Sequence, residues 1–373
     1  MIYKSNAQCY LTLQIQWLPQ WHIEPEGYLC FVTRLRSDRL NIIRKSSPSR
    51  AWNAVKLFGS YHVSRWLKRP VLWGKPMSMS VEPTTACNLG CPECPSGLRQ
   101  FTRPTGNLKS DFFKRVIDES QDHLSYLTFY FQGEPFINPA FLDMVKYASD
   151  RKVYTATSTN AHFLNEAMAR KTVESGLDRL IISLDGTTQE VYEQYRVNGK
   201  IDKVLEGTRN ILKVREEMKS KTPLVVFQFL VVRPNEHQIE DVKKLGEEMG
   251  VDQVVFKTAQ MYEYEDGNPL IPTLEKYSRY QKGADGKYRI KNKLLNQCWR
   301  MWQGCVVTWD GLVVPCCFDK DAKHRMGDLK TDSLQNVWSG PIYQGFRRSL
   351  LKSRSEIDIC TNCTEGTKVW SEA

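Results

Sequence analysis

The chain has 373 residues, a hydrophobic content of 41% and 22 glycines, a globular composition with room for two or three domains and a sizeable core. No apolar run reaches the length of a bilayer span, and the N-terminus lacks the basic, apolar, small-residue order of a secretory signal, so the sequence predicts a cytoplasmic protein. A net charge of +10 favours an anionic partner or simply a basic surface, and with no nucleic-acid motif beside it the sequence argues against nucleic-acid binding.

Residues 1–75 form an N-terminal extension with no chemical motif. Cys9 and Cys30 stand apart there and read as ordinary buried thiols. The stretch 49–70 places Trp52, Val55, Phe58 and Tyr61 near the helical period and predicts an amphipathic basic helix. It either packs on the main domain or meets a membrane surface or partner.

Residues 76–260 form the next unit. The strand-like run MSMSVEPT leads into CNLGCPEC, which holds Cys87, Cys91 and Cys94 as C-x3-C-x2-C. Three thiolates on one loop can hold three corners of a cubane iron–sulfur cluster. With no fourth cysteine nearby, one iron is left to bind a small molecule through an amine and a carboxylate, which suits S-adenosylmethionine. Structural zinc prefers four ligands in two separated pairs, and a disulfide scaffold suits a short secreted chain; both fit less well but stay open from spacing alone.

Strand and helix then alternate. The sequence predicts a helix over 109–120 capped by Ser110, a strand over 124–131, and a helix over 138–150 with Phe141, Met144, Val145 and Ala148 on one face. Strands follow at 153–159 and 179–184. A helix over 201–218 brings Ile201, Val204, Leu205, Ile211 and Leu212 into phase, and 224–232 is a long apolar strand interrupted by Gln228. A helix and a last strand, 253–257, close the series. Continuous apolar strands suit a parallel sheet buried on both faces, and six such units predict an α/β fold, a partial (β/α)6 barrel with its active groups at the C-terminal strand ends. Residues 261–297 read as a polar connector.

The C-terminal unit, 298–373, carries Cys298, Cys305, Cys316, Cys317, Cys360 and Cys363. The run TWDGLVVPC predicts a hairpin turning at Asp310-Gly311. A hairpin plus the distant Cys360-x2-Cys363 brings four thiolates together, as a closed cluster or a zinc site.

The cysteine loop and the strand–helix series resemble the radical S-adenosylmethionine superfamily over about residues 76–260. The C-terminus resembles the auxiliary-cluster domain, SPASM or its short twitch form, that follows many such cores. The resemblance implies two [4Fe–4S] clusters and S-adenosylmethionine as cofactors. Cys298, Cys316, Cys360 and Cys363 match the four ligands of the single-cluster form, leaving Cys305 and Cys317 over. Gly133 and Glu134 resemble the family's Gly-Gly-Glu element at the cofactor amino group, with Gln132 in place of its first glycine. Asn160 and Ser183 resemble ribose- and carboxylate-binding positions, and Arg196 has the geometry to pair with the cofactor carboxylate. Asp185 stands beside Ser183 and serves either the cofactor or a helix cap.

The implied activity is reductive cleavage of S-adenosylmethionine to a 5′-deoxyadenosyl radical that takes hydrogen from a substrate, with electrons from a flavodoxin- or ferredoxin-like donor. The leading reading is an oxidoreductase acting on a small polar metabolite such as a sugar or aminocyclitol, helped by the second cluster. Modification of a ribosomal peptide is the alternative, and a non-enzymatic iron–sulfur electron carrier the reading from outside the enzymes.

Overall fold

Six short parallel strands carry the fold in a computed structural model that describes residues 38–363. They are β1 (Ser78–Val81), β2 (Tyr126–Thr128), β3 (Tyr154–Thr159), β4 (Arg179–Ser183), β5 (Leu224–Val231) and β6 (Gln253–Thr258). They pair in sequence order, each parallel to the next, as consecutive right-handed strand–helix units must.

The crossover helices cover the outer face. After the helix α1 (Pro48–Leu67) and a four-residue turn α2 (Pro95–Leu98), they are α3 (Ser110–Ser120), α4 (Phe141–Asp150), α5 (Glu166–Glu174), α6 (Gln189–Tyr195), α7 (Ile201–Glu217) and α8 (Ile239–Met249). Helix α4 buries Phe141, Met144, Val145 and Ala148, the predicted face. In α7 Ile201, Val204 and Ile211 are buried, with Leu205 and Leu212 packed at the margin. Ser110 is the first residue of α3 rather than its cap; Lys109 caps it, without a side-chain bond.

The sheet does not end with the six strands. After a small hairpin, β7 (Tyr280–Lys282) and β8 (Tyr288–Ile290), and the turn α9 (Arg300–Gln303), β9 (Gly304–Val307) pairs parallel with β1. β10 (Leu312–Val314) returns antiparallel to β9, and β11 (Gly327–Asp328) pairs with β10, giving one nine-stranded sheet. The predicted hairpin is thus β9–β10. Its turn is closed by the Gly311 amide donating to the Thr308 carbonyl at 2.9 Å, with Gly311 at φ 93°. Helices α10 (Leu334–Ser339), α11 (Pro341–Lys352) and α12 (Asp358–Thr361) complete the described chain.

Helix α1 exists, and of the two alternatives for its apolar stripe, packing on the main domain is not what the structure shows. Arg50, Asn53, Leu57, Ser60 and Ser64 face inward, whereas Trp52, Val55 and Phe58 are exposed. Of the predicted stripe, Tyr61 packs against Trp299 and Trp302, and Phe58 meets Trp299 edge-on while staying half exposed. Cys9 and Cys30 lie outside the described residues. No helix among the described residues is long and apolar enough to cross a membrane.

Candidate active site

The loop after β1 reaches the C-terminal rim of the sheet and carries Cys87, Cys91 and Cys94. Cys94 leads into α2, and its carbonyl accepts the Leu98 amide at 2.8 Å. This turn folds back onto the loop so closely that a Cβ on Gly97 would lie 2.5 Å from the Cys91 nitrogen. Glycine clears the space that the curl requires.

Each thiol meets a polar group brought from elsewhere. The Asn160 side-chain amide stands 4.0 Å from Cys87 Sγ, and the Leu89 amide 3.5 Å from the same sulfur. Arg196 Nη1 donates to Cys91 Sγ at 3.7 Å, and the Cys94 thiol faces Gln132 Oε1 at 4.0 Å. Burial pushes the Cys87 thiol up to about 11 and raises Cys91 despite Arg196 beside it. A ligated metal removes such protons, and N–H donors to sulfur then stabilise the thiolates. Three soft donors on one loop fit the cubane better than any hard cation.

The strand ends supply the surrounding residues. Gly133 has φ +75°, and a Cβ there would sit 2.2 Å from the Thr84 carbonyl oxygen, so both conformation and space demand glycine. Its amide donates to Ser96 Oγ at 2.8 Å, and the Glu134 amide donates to the Ala86 carbonyl at 2.8 Å. The post-β2 turn is thereby laced to the cysteine loop. The Glu134 carboxylate is buried and accepts from Thr159 Oγ1 at 2.7 Å, the Asn160 amide at 2.8 Å and the Phe136 amide at 3.3 Å. Burial pushes its carboxyl up to about 7 even with these donors.

The Asn160 side chain also donates to Asn88 Oδ1 at 2.8 Å, so it bridges β3 to the loop. Ser183 ends β4, with its hydroxyl 3.4 Å from that of Ser158 and its backbone in register with Gln228. Asp185 is fully buried and engaged within the chain: one oxygen accepts from Arg196 Nε at 2.5 Å, the other from the Leu230 amide at 2.7 Å. Its visible work is to aim Arg196 at Cys91. The structure therefore brings Cys87, Cys91, Cys94, Gly133, Glu134, Asn160, Asp185 and Arg196 to one rim, with Ser183 on a neighbouring strand end.

A second group lies in the C-terminal part. Cys298, Cys316, Cys360 and Cys363 line one small cavity with Arg300, Arg354 and the apolar Met301, Phe318, Phe346, Leu350 and Ile359. Cys317 turns away and packs with Phe131, Val306, Val314 and Ala322. Cys305 sits on β9, buried, its thiol pushed up to about 12. No three His, Cys, Asp or Glu side chains among the described residues converge as they would on a single ion. Four cysteines standing around a cavity suit a many-atom cluster more than one zinc.

Several residues here escape the sequence reading. The connector forms an apolar shell over the first loop: Met261, Ile271 and Tyr280 pack with Leu89 and Cys91. Glu93, inside the cysteine motif, accepts from the Tyr262 amide at 2.8 Å and from Asn268 Nδ2 at 3.2 Å. Lys320 Nζ donates to Tyr262 Oη at 3.1 Å, within electrostatic range of both Cys94 and Cys317. Glu93 had a positional signal, lying between two candidate ligands; Tyr262 and Lys320 had none.

A parallel α/β barrel with an open three-cysteine rim and a four-cysteine cavity is the frame of an iron–sulfur enzyme. The pattern of the radical SAM superfamily matches residues 81–246, and that of the SPASM iron–sulfur cluster-binding domain matches 298–364. The chain belongs to the radical SAM superfamily and carries a C-terminal SPASM domain. It is an enzyme whose cofactors are [4Fe–4S] clusters and S-adenosylmethionine.

Among its relatives is the tungsten-containing aldehyde ferredoxin oxidoreductase cofactor-modifying protein of Pyrococcus furiosus, 24% identical over 76% of this chain and 86% of that one. The PqqA peptide cyclase of Granulibacter bethesdensis is 25% identical over 73% of this chain and 76% of its own. Among solved structures, Streptococcus suis SuiB superposes with a TM-score of 0.58 at 13% identity, covering 80% of this chain and 74% of that chain, a likeness of fold.

Proposed function

We propose that Cys87, Cys91 and Cys94 hold the cluster that binds S-adenosylmethionine, and that Cys298, Cys316, Cys360 and Cys363 hold the auxiliary cluster. When bound, these groups supply an electron that cleaves S-adenosylmethionine to a 5′-deoxyadenosyl radical, and an acceptor for the electron released by the oxidised substrate. The chain's own residues do the positioning. Gly133 and Glu134 would meet the amino end of the cofactor and Arg196, held by Asp185, its carboxylate, with Asn160 and Ser183 at the ribose- and carboxylate-binding positions.

The substrate is a small polar metabolite undergoing two-electron oxidation. The observation that carries this reading is the Lys320–Tyr262 pair at 3.1 Å, within electrostatic range of Cys94 of the first loop. A cation and a phenol there can orient a hydroxyl or anionic group beside the first loop. The enzyme acts in the cytoplasm and draws electrons from a flavodoxin- or ferredoxin-like donor.

The competing reading is modification of a peptide, favoured by the similarity to a PqqA peptide cyclase over 73% of this chain. The test is 5′-deoxyadenosine formation by the anaerobically reconstituted enzyme with size-separated cell extract. Stimulation by the small-molecule fraction supports oxidation of a metabolite. Stimulation confined to the peptide fraction overturns it.

A further inference from the structure

Helix α1 is built inside out. Its buried side carries Asn53, Ser60 and Ser64, each satisfied by backbone. Asn53 exchanges two bonds of 2.8 Å with Lys75, Ser60 donates to the Leu57 carbonyl at 3.0 Å, and Ser64 accepts from the Val71 amide at 2.8 Å. Its outer side carries the large apolar groups. Trp66 is 82% exposed, Trp52 63% and Val55 59%. At about 100° per residue these three fall within about 60° of one another, opposite Leu57. Lys56 and Arg65 flank that stripe, one on each side. Trp73, 53% exposed, lies over Gly59 and widens it.

Charge selects what this face meets. From Arg39 to Lys75 the sequence holds nine Lys and Arg and no Asp or Glu. Where α1 ends, a cleft of about 690 Å³ is lined by His62, Arg65, Trp66, Lys68 and Lys352 and by no acidic side chain. Tryptophan bodies set between cations, beside a cationic cleft, match the boundary between acyl chains and anionic headgroups. A nucleic acid would meet the cations but offers no apolar phase to receive Val55 and Trp66.

The placement is compatible with catalysis. The Arg50 guanidinium on the inner side of α1 donates to the carbonyls of Gln121 and Arg151, which precede β2 and β3. α1 therefore lies across the N-terminal ends of the strands, and the cysteine loop opens at the opposite rim. We infer that this chain docks on an anionic lipid bilayer through Trp52, Val55 and Trp66 of α1, with Arg65, Lys68 and Lys352 on the phosphates, leaving the active-site rim facing away from the membrane.

The test uses the full-length, cluster-loaded protein with vesicles of phosphatidylcholine alone or mixed with phosphatidylglycerol. The protein should sediment with the mixed vesicles, stay in solution with phosphatidylcholine alone, and be released by high salt. Trp52→Ser with Trp66→Ser, and separately Arg65→Glu with Lys68→Glu and Lys352→Glu, should each lower the partition at least about tenfold. Iron content and uncoupled cleavage of S-adenosylmethionine should be unchanged in both variants. The inference is overturned if wild-type protein ignores mixed vesicles at low salt. It is equally overturned if both variants bind as wild type, or if sedimentation velocity shows a dimer that Trp52→Ser with Trp66→Ser dissolves.

Discussion

The Asn362 side-chain amide donates to the Met261 carbonyl at 2.7 Å. Asn362 lies inside the Cys360-x2-Cys363 pair; Met261 is buried in the apolar shell over Cys91. Asn362 Oδ1 also accepts from Tyr280 Oη at 2.9 Å, and the Tyr280 ring stacks on Tyr264 at 4.3 Å. One side chain thus joins the two cysteine sites through the connector. Asn362→Leu removes both of these bonds and leaves the Tyr280 hydroxyl donating only to the Met261 carbonyl, at 3.3 Å, so unfolding stability should fall by about 1 kcal/mol. Urea denaturation measures the loss. If the joint matters to function, uncoupled cleavage of S-adenosylmethionine should persist while substrate turnover drops.

Gly133 tests the cradle. Gly133→Ala must place its Cβ 2.2 Å from the Thr84 carbonyl oxygen in a left-handed conformation. The turn after β2 has to move, so cleavage of S-adenosylmethionine should fall at least about tenfold. Gly345 in α11 is the control, because a Cβ there would meet nothing within 4 Å. Gly345→Ala should leave cleavage unchanged and stabilise the helix by about 1 kcal/mol. Equal activity in the two variants would remove the argument from Gly133.

Iron counting separates ligands from bystanders. Anaerobically reconstituted wild type should hold about eight irons per chain, and Cys91→Ala or Cys360→Ala about four. Cys91→Ala should abolish cleavage, whereas Cys360→Ala should spare uncoupled cleavage and stop substrate oxidation. Cys305→Ala and Cys317→Ala should keep the full iron content, because neither lines the auxiliary cavity. Loss of four irons in Cys317→Ala would reassign the fourth ligand.

Glu134 predicts a pH dependence of the cluster-free protein. Burial lifts its carboxyl from the ordinary 4.5 up to about 7. The folded chain then binds that proton more tightly than the unfolded chain. Its contribution to stability is complete below the unfolded value and fades as pH rises through about 7. Denaturation midpoints of apo-protein should therefore fall between about pH 5 and pH 8, and Glu134→Gln should flatten that slope. Parallel slopes in the two proteins would assign the effect to other groups.

The strand–helix series was legible because parallel strands buried on both faces are written as apolar runs, as in Leu224–Val231, and because α4 and α7 keep the helical period. The cysteine loop was legible because ligands must sit close in sequence. What escaped depends on distant partners. Nothing in 304–307 announces that β9 pairs with β1, and the connector's apolar residues, Met261, Ile271 and Tyr280, follow no period because they pack on a loop. The helical period of α1 was legible but not which side it buries, because small polar side chains that bond the backbone fit its close approach to residues 71–75.

Glu82 and Arg103 carry the last prediction. Their side chains are 0% and 1% exposed, and they form a two-pronged pair, Nη1 to Oε2 at 2.9 Å and Nη2 to Oε1 at 2.5 Å. The Trp309 amide donates to Glu82 at 3.2 Å, and Arg103 Nε donates to the Lys320 carbonyl at 3.3 Å. The pair thereby ties the end of β1 to the β9–β10 turn and to the segment that presents Lys320. Arg103→Met strands a buried carboxylate and should cost about 3–5 kcal/mol. Adding Glu82→Gln removes the stranded charge and should restore much of that stability, since a buried pair is worth less than either half left alone. Position is not restored with it, because neither new side chain reaches the Lys320 carbonyl. The double variant should therefore unfold near wild type yet oxidise substrate poorly, with a raised KM and unchanged uncoupled cleavage. Recovery of both properties together would show that the pair serves stability alone.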